Sequence, residues 1–191
     1  KEVGISRYVF ASSCSSYGAA GDKILNESVE FNPVTPYAIS KVQVEQDVKQ
    51  LADSDFSPTF MRNGTAYGVS PRIRFDVVLN NLLAWAYTTG KVHLKSDGTP
   101  WRPIVHIEDI SRAVLAALSA PRELVHNEAF NVGLNAENYQ IKQLAEIVLK
   151  TIPDCQLGFA ADAGGDKRNY RVDFSKYKST FPDHPLQWNA R

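Results

Sequence analysis

Tyr37 and Lys41 stand four residues apart, immediately after Thr35-Pro36. Thr is a favoured helix N-cap and Pro suits the first helical position, so a helix should begin at Pro36. Residues four apart then share one face of it. A phenol with an ordinary pKa of about 10 is a poor base at neutral pH. An ammonium held beside it favours the phenolate. Such a pair can pass a proton to or from a hydroxyl or a carbonyl. A second Tyr-x-x-x-Lys, Tyr87 and Lys91, encloses Gly90 and has no polar loop leading into it. It reads as a solvated helix end.

Upstream lies Arg7-Tyr8-Val9-Phe10-Ala11-Ser12-Ser13-Cys14-Ser15-Ser16-Tyr17-Gly18. An apolar run that opens into hydroxyls and a glycine is the pattern of a buried strand entering a functional loop. An acidic spacer with Glu27 leads from it to Thr35. Cys14 sits among the hydroxyls, so a nucleophilic thiol is an alternative, although no His stands near it in sequence. His93, His106, His126 and His184 show no metal spacing, and no metal is expected.

The chain has 191 residues and a formal net charge of zero. That length permits a globular unit with a proper core. The charge balance argues against a nucleic-acid or polybasic membrane partner. No apolar run approaches the roughly 20 residues of a membrane span. Two cysteines without a framework pattern and no visible signal peptide suggest a reducing cytoplasm.

Periodicity and punctuation predict strands over 7–13, 57–62, 92–95, 102–106, 129–132 and 156–159. Helices are predicted over 36–53, 75–89, 108–119 and 141–151, with a short one from Ser175. The first should carry Tyr37, Lys41, Val44, Val48 and Leu51 along one stripe. The third should turn Val114, Leu115 and Leu118 to the core. Asp97-Gly98-Thr99-Pro100 is a predicted turn, and 166–171 a charged loop. Alternating strands and helices argue for a parallel α/β sheet with crossover helices.

A strand, a Ser-rich loop, an acidic spacer and then Pro-Tyr-x-x-x-Lys resemble the extended short-chain dehydrogenase/reductases. Within them the chain is similar to the NAD-dependent nucleotide-sugar epimerases and dehydratases, over nearly its whole length. The resemblance implies the C-terminal part of a Rossmann-like doubly wound parallel sheet over 1–133. It implies a substrate-helix insertion near 69–101 and a smaller mixed α/β substrate-binding lobe over 134–191. A glycine-rich dinucleotide turn is not found. Neither Gly18-Ala19-Ala20-Gly21 nor Gly164-Gly165 has the strand–turn–helix context that phosphate binding requires. The chain therefore reads as the C-terminal part of a larger enzyme.

Carried over from the resemblance, Tyr37 is the acid/base and Lys41 its partner at the nicotinamide ribose. Ser13 hydrogen-bonds the reacting oxygen. Ser12, Asn63 and Thr65 fall at cofactor positions. Asn81, Arg102 and Arg168 fall at nucleotide-sugar positions, the arginines suited to phosphate. The cofactor implied is NAD, the partner a nucleotide sugar, and the assembly a homodimer. Dehydratases of this group carry Asp-Glu after the equivalent of Ser13, because eliminating water needs a further acid and base. Here Cys14 and Ser15 stand there, which favours 4-epimerisation through a transient 4-keto sugar. A ketoreductase using NAD or NADP, a dehydratase, and an inactive sugar-nucleotide-binding fragment are the alternatives. Two departures bear on specificity. Thr65 stands where the family usually has Asn, and Lys95 where it often has an aromatic on the base.

Overall fold

The computed structural model describes residues 4–159 and 168–191. Its strands are β1 (Arg7–Ser13), β2 (Ala19–Leu25), β3 (Ser57–Asn63), β4 (Thr65–Tyr67), β5 (Lys91–Leu94), β6 (Trp101–His106), β7 (Glu128–Val132), β8 (Asn138–Gln140), β9 (Gln156–Phe159) and β10 (Asn169–Val172). Its helices are α1 (Pro36–Lys49), α2 (Val78–Thr89), α3 (Ile107–Ser119), α4 (Arg122–Val125), α5 (Ile141–Thr151) and α6 (Ser175–Thr180).

The main sheet is parallel, in the order β1-β3-β7. Its register sets Phe10 against Phe60 and Ser13 against Asn63. β3 lies between the other two and is buried from Ser57 to Arg62. β4 pairs parallel with β6, and β6 antiparallel with β8. β2 pairs parallel with β10, and β5 with β9. The α/β class and the parallel pairing agree with expectation. Strands beyond residue 133 pair with strands before it, so the last third of the chain is woven into the rest.

Thr35 Oγ1 accepts from the Ala38 N–H at 3.2 Å and starts α1. A cap of this kind is worth roughly 0.5–2 kcal/mol. The helix stops at Lys49, short of the predicted Asp53. Asp53 Oδ1 instead accepts from the Asp55 and Phe56 N–H groups, both at 2.9 Å, and turns the chain into β3. The buried face of α1 is Ala38, Val42 and Glu45. The expected Val44 and Leu51 lie on the exposed side. α2 starts at Val78 instead of Phe75, because Asn80 and Asn81 turn their amides back to the carbonyls of Arg74 and Phe75.

α3 corrects a second expectation. Ala113, Ala116 and Ala117 face the core, and Leu115 and Leu118 are 63% and 41% exposed. The alanines repeat with the same helical period as the larger residues, and their small side chains let the helix backbone approach the sheet. β2, β4, β8 and β10 were not expected. β4, β8 and β10 are short, and all four are held by partners distant in sequence. Part of the predicted charged loop, Asn169–Arg171, belongs to β10. Gly164-Gly165 and residues 166–167 lie outside the described residues.

One core forms around Met61, Phe130, Val132, Tyr177 and Phe181. A second joins Leu82, Val92, Ile104, Leu144 and Val148. A third, with Cys14, Tyr17, Leu25, Tyr170 and Val172, lies under the Ser-rich loop. Gly18 lets the chain return over that loop. Its φ is +65°, and a Cβ there would come within 1.6 Å of the Asn32 carbonyl oxygen. Among the described residues, no helix is long and apolar enough to cross a membrane.

Among the described residues β1 pairs with β3 alone, leaving its other edge open. Arg7 on β1 donates to the carbonyls of Leu118 and Ala120, which brings the exposed end of α3 beside that edge. Open edges next to apolar side chains invite pairing with another chain. We expect the 191-residue chain on its own to self-associate. Sedimentation velocity at several concentrations should show mass rising with concentration; a monomer throughout would show that the edge is closed in solution.

Candidate active site

The C-terminal ends of β1 and β3 and the start of α1 open onto a cleft of about 1010 Å³. Crevices at the carboxyl ends of parallel strands are the usual ligand sites of such sheets, and this one is at the upper end of ligand-pocket sizes. Ser13, Tyr37, Lys41, Asn63, Thr65 and Arg168 all line it. Residues far apart in sequence are therefore brought to one place.

Tyr37 is 54% exposed and presents its ring to the cleft. Lys41, one turn on, donates from Nζ to the Ala11 carbonyl at 2.7 Å. Its ammonium lies over the Phe10 ring, 4.8 Å from the centroid, and 5.7 Å from the Tyr37 centroid. Lys41 thus ties α1 to the end of β1 while standing beside the Tyr37 ring. Ser13 Oγ accepts from the Ser15 N–H at 3.2 Å and from the Ser15 hydroxyl at 2.9 Å. Both bonds use it as an acceptor, which leaves its own O–H to donate into the cleft.

Two hydroxyl-loop residues turn inward. Ser12 is buried at the cleft wall and donates its hydroxyl to Glu45 Oε2 at 2.9 Å. Cys14 is fully buried and donates to the Arg62 carbonyl at 3.0 Å. Burial pushes its thiol pKa well above the ordinary range, although Arg62 draws it down. A buried thiol held protonated is not a nucleophile, and that alternative falls. Asn63 donates weakly to the Ser12 carbonyl at 3.4 Å, and its Oδ1 is buried with no hydrogen-bond partner.

Arg102 and Asn81 are not on the cleft wall. Arg102 is 3% exposed. Its Nη1 donates to the carbonyls of Trp101 and Arg168 at 2.6 and 2.5 Å, and the guanidinium lies over Tyr170. It holds the backbone of Arg168, the arginine that does line the cleft. Asn81 gives its amide to the Phe75 carbonyl at 2.7 Å. Its neighbour Asn80 lines the cleft, and its Oδ1 accepts from the Gly68 N–H at 3.1 Å.

The sequence reading missed Arg72 and Arg74, which line the cleft from the loop between β4 and α2. Arg74 pairs with Asp76 at 2.5 Å on the exposed side. Two arginines in a loop entered from a strand-end glycine were the available signal. With Lys41 and Arg168 they place four cations on the wall of a chain whose net charge is zero. Among the described residues, the lining contains no carboxylate, imidazole or thiol. The cleft wall is rich in cations, and Tyr37, 54% exposed, is more open to it than the half-buried Lys41. No metal-binding cluster occurs among the described residues.

The orphaned Asn63 Oδ1 tests the fit of NAD, which the resemblance implies. A buried carbonyl without a partner suits a carboxamide N–H such as that of nicotinamide. The Lys41 ammonium and the Thr65 hydroxyl stand in the same cleft for ribose oxygens. These residues fit the nicotinamide end of the cofactor.

Comparison with known proteins agrees with this geometry. The profile of the NAD dependent epimerase/dehydratase family matches residues 1–133. The chain is 24% identical over 209 aligned residues to UDP-glucose 4-epimerase of Bacillus subtilis (strain 168), covering 100% of this chain and 60% of that enzyme. It is 28% identical over 155 residues to UDP-glucuronate 4-epimerase of Thermodesulfobacterium geofontis (strain OPF15), covering 80% of this chain and 46% of that one. Mammalian dTDP-D-glucose 4,6-dehydratases match at 25% identity. Among solved structures, MoeE5 in complex with UDP-glucose and NAD superposes with a TM-score of 0.81 at 25% identity, covering 98% of this chain and 62% of that one. The chain thus spans less than two thirds of the length of these relatives.

Arg168 and Arg102 should separate in a binding experiment on the full-length protein. Arg168→Ala should weaken a nucleoside diphosphate by about tenfold or more, since a charge-assisted hydrogen bond is worth about 1.5–3 kcal/mol. Arg102→Ala should lower the melting temperature, because Arg102 is buried. Calorimetry and thermal melts check both; unchanged affinity in Arg168→Ala would remove Arg168 from the site.

Proposed function

The chain belongs to the NAD dependent epimerase/dehydratase family, and we propose that it supplies the catalytic and substrate-facing part of an NAD-dependent nucleotide-sugar 4-epimerase. The observation that carries this reading is the chemistry of the cleft wall. It offers a tyrosine with a lysine beside it, a serine hydroxyl, and cations, with no carboxylate among its described residues.

In this reading the sugar's C4 hydroxyl lies between Ser13 and Tyr37. Tyr37 removes the hydroxyl proton as the carbon is oxidised, and Ser13 donates a hydrogen bond to the oxygen that becomes a carbonyl. Asn63, Lys41 and Thr65 would hold the nicotinamide end of NAD, which would supply the hydride acceptor and donor. The sugar then presents its other face, and Tyr37 returns the proton as C4 is reduced. Arg72, Arg74 and Arg168 supply positive charge for the diphosphate, which anchors the nucleotide while the sugar turns.

Removal of water across C5 and C6 would need a further acid and base within reach of those carbons. The positions after Ser13 hold a buried thiol and a hydroxyl instead. This favours epimerisation over dehydration. The 4-epimerases among the relatives support the same choice, and the dehydratases among them mark the shared first step.

Incubating the full-length protein with a panel of nucleotide sugars, followed by product analysis, should yield C4 epimers and no 4-keto-6-deoxy sugar. Tyr37→Phe should keep the fold and lose about 10²-fold or more in turnover, the usual scale of acid–base catalysis. Wild-type turnover in that variant would remove Tyr37 from the chemistry.

A further inference from the structure

Tyr37, Lys41 and Glu45 follow one another at four-residue intervals along α1. The first two face the cleft. Glu45 is 3% exposed and meets Arg62 of β3, itself 6% exposed. Arg62 Nη2 and Nε both bond the carboxylate, the latter at 3.0 Å from Oε1. Glu45 Oε2 also accepts from Ser12 Oγ at 2.9 Å. Arg62 Nη1 donates to the Tyr17 hydroxyl at 3.0 Å and to the Glu27 carbonyl at 3.1 Å. Its guanidinium lies over the Phe31 ring, 4.4 Å from the centroid.

These bonds surround Ser13 on both sides. Ala11 is held by Lys41, Ser12 by Glu45, Cys14 by the Arg62 carbonyl, and Tyr17 by the Arg62 guanidinium. Every one of these links runs to α1 or to β3. A buried ion pair adds little net stability compared with apolar residues of the same volume, and what it can add is a fixed geometry. We propose that Glu45 and Arg62 are positioning residues of the reaction: their ion pair seats α1 against the Ser12–Tyr17 loop and thereby fixes where Tyr37 and Lys41 stand relative to Ser13. The inference rests on the epimerase reading of the cleft. It assigns no contact with substrate or cofactor to either residue.

The test is made in the full-length protein with UDP-glucose as substrate and Tyr37→Phe as a parallel control. The double variant Glu45→Leu/Arg62→Met removes both charges together and keeps apolar volume. It should melt near the wild-type temperature and bind UDP-glucose with little change in KM. Its kcat should fall about 10²-fold, the scale of a 1 Å misplacement of reacting groups. Should the double variant not fold, Glu45→Asp carries the test: it keeps the charge pair and shortens its reach, and should lower kcat at unchanged KM and melting temperature. Wild-type kcat in whichever variant folds, with Tyr37→Phe inactive, overturns the positioning role alone. Wild-type turnover in Tyr37→Phe overturns the epimerase reading, and the positioning role falls with it.

Discussion

Arg62 carries a charge into the interior, and the surrounding structure is arranged to satisfy it. Burial disfavours its charged form, while the Glu45 carboxylate and the Tyr17 hydroxyl more than offset this and leave its pKa raised. Losing one partner of such a pair typically costs about 3–5 kcal/mol, because the other charge is left buried and uncompensated. That penalty holds three separate segments in register: α1 through Glu45, the Ser-rich loop through Tyr17, and the returning spacer through the Glu27 carbonyl. Tyr17 in turn donates to Asn131 Oδ1 at 2.8 Å, and Glu27 Oε1 accepts from the Asn131 N–H at 2.7 Å, so β7 joins the same network. Above it, the cleft inherits a fixed wall.

On the cleft side the electrostatics change sign of purpose. The interior pairs Arg62 with Glu45; the cleft wall carries Lys41, Arg72, Arg74 and Arg168, and none of its described lining residues is a carboxylate. Lys41 bridges the two, since its ammonium holds the Ala11 carbonyl and lies over the Tyr37 ring. In the proposed reading, Arg72, Arg74 and Arg168 draw a negatively charged ligand toward Tyr37 and Ser13. Low-dielectric walls strengthen that attraction relative to bulk water.

What was legible in the sequence was local. Thr35-Pro36 fixes the start of α1, so the phase of Tyr37 and Lys41 followed from spacing alone. The end of β1 announced itself by its change from apolar residues to hydroxyls, and the resemblance singled out Ser13 among them. Residues whose orientation depends on long-range partners were misplaced. Which way Arg102 points is decided by the Arg168 carbonyl and the Tyr170 ring, at and beside β10, a strand that was not expected. Asn81 came from the resemblance, and the adjacent Asn80 lines the cleft instead, since each helical residue turns the side chain by about 100°. On α3 the alanine stripe and the leucine-bearing stripe share one period, and only packing against the sheet selects the alanines. Glu45 was on the Tyr37–Lys41 stripe all along. Its partner lay on another strand, and a glutamate on a helix reads as solvent-facing until that partner is seen.

Oxidation and re-reduction of one carbon within one site leave an isotopic record. The full-length protein should therefore be given a nucleotide sugar carrying deuterium at C4 in ordinary water, and the product examined by NMR and mass spectrometry. Transfer out and back within one site predicts the inverted sugar with deuterium still at C4 and no label gained from solvent. Loss of the label to water, or retention of configuration with exchange at C5, would contradict a Tyr37-centred C4 epimerisation.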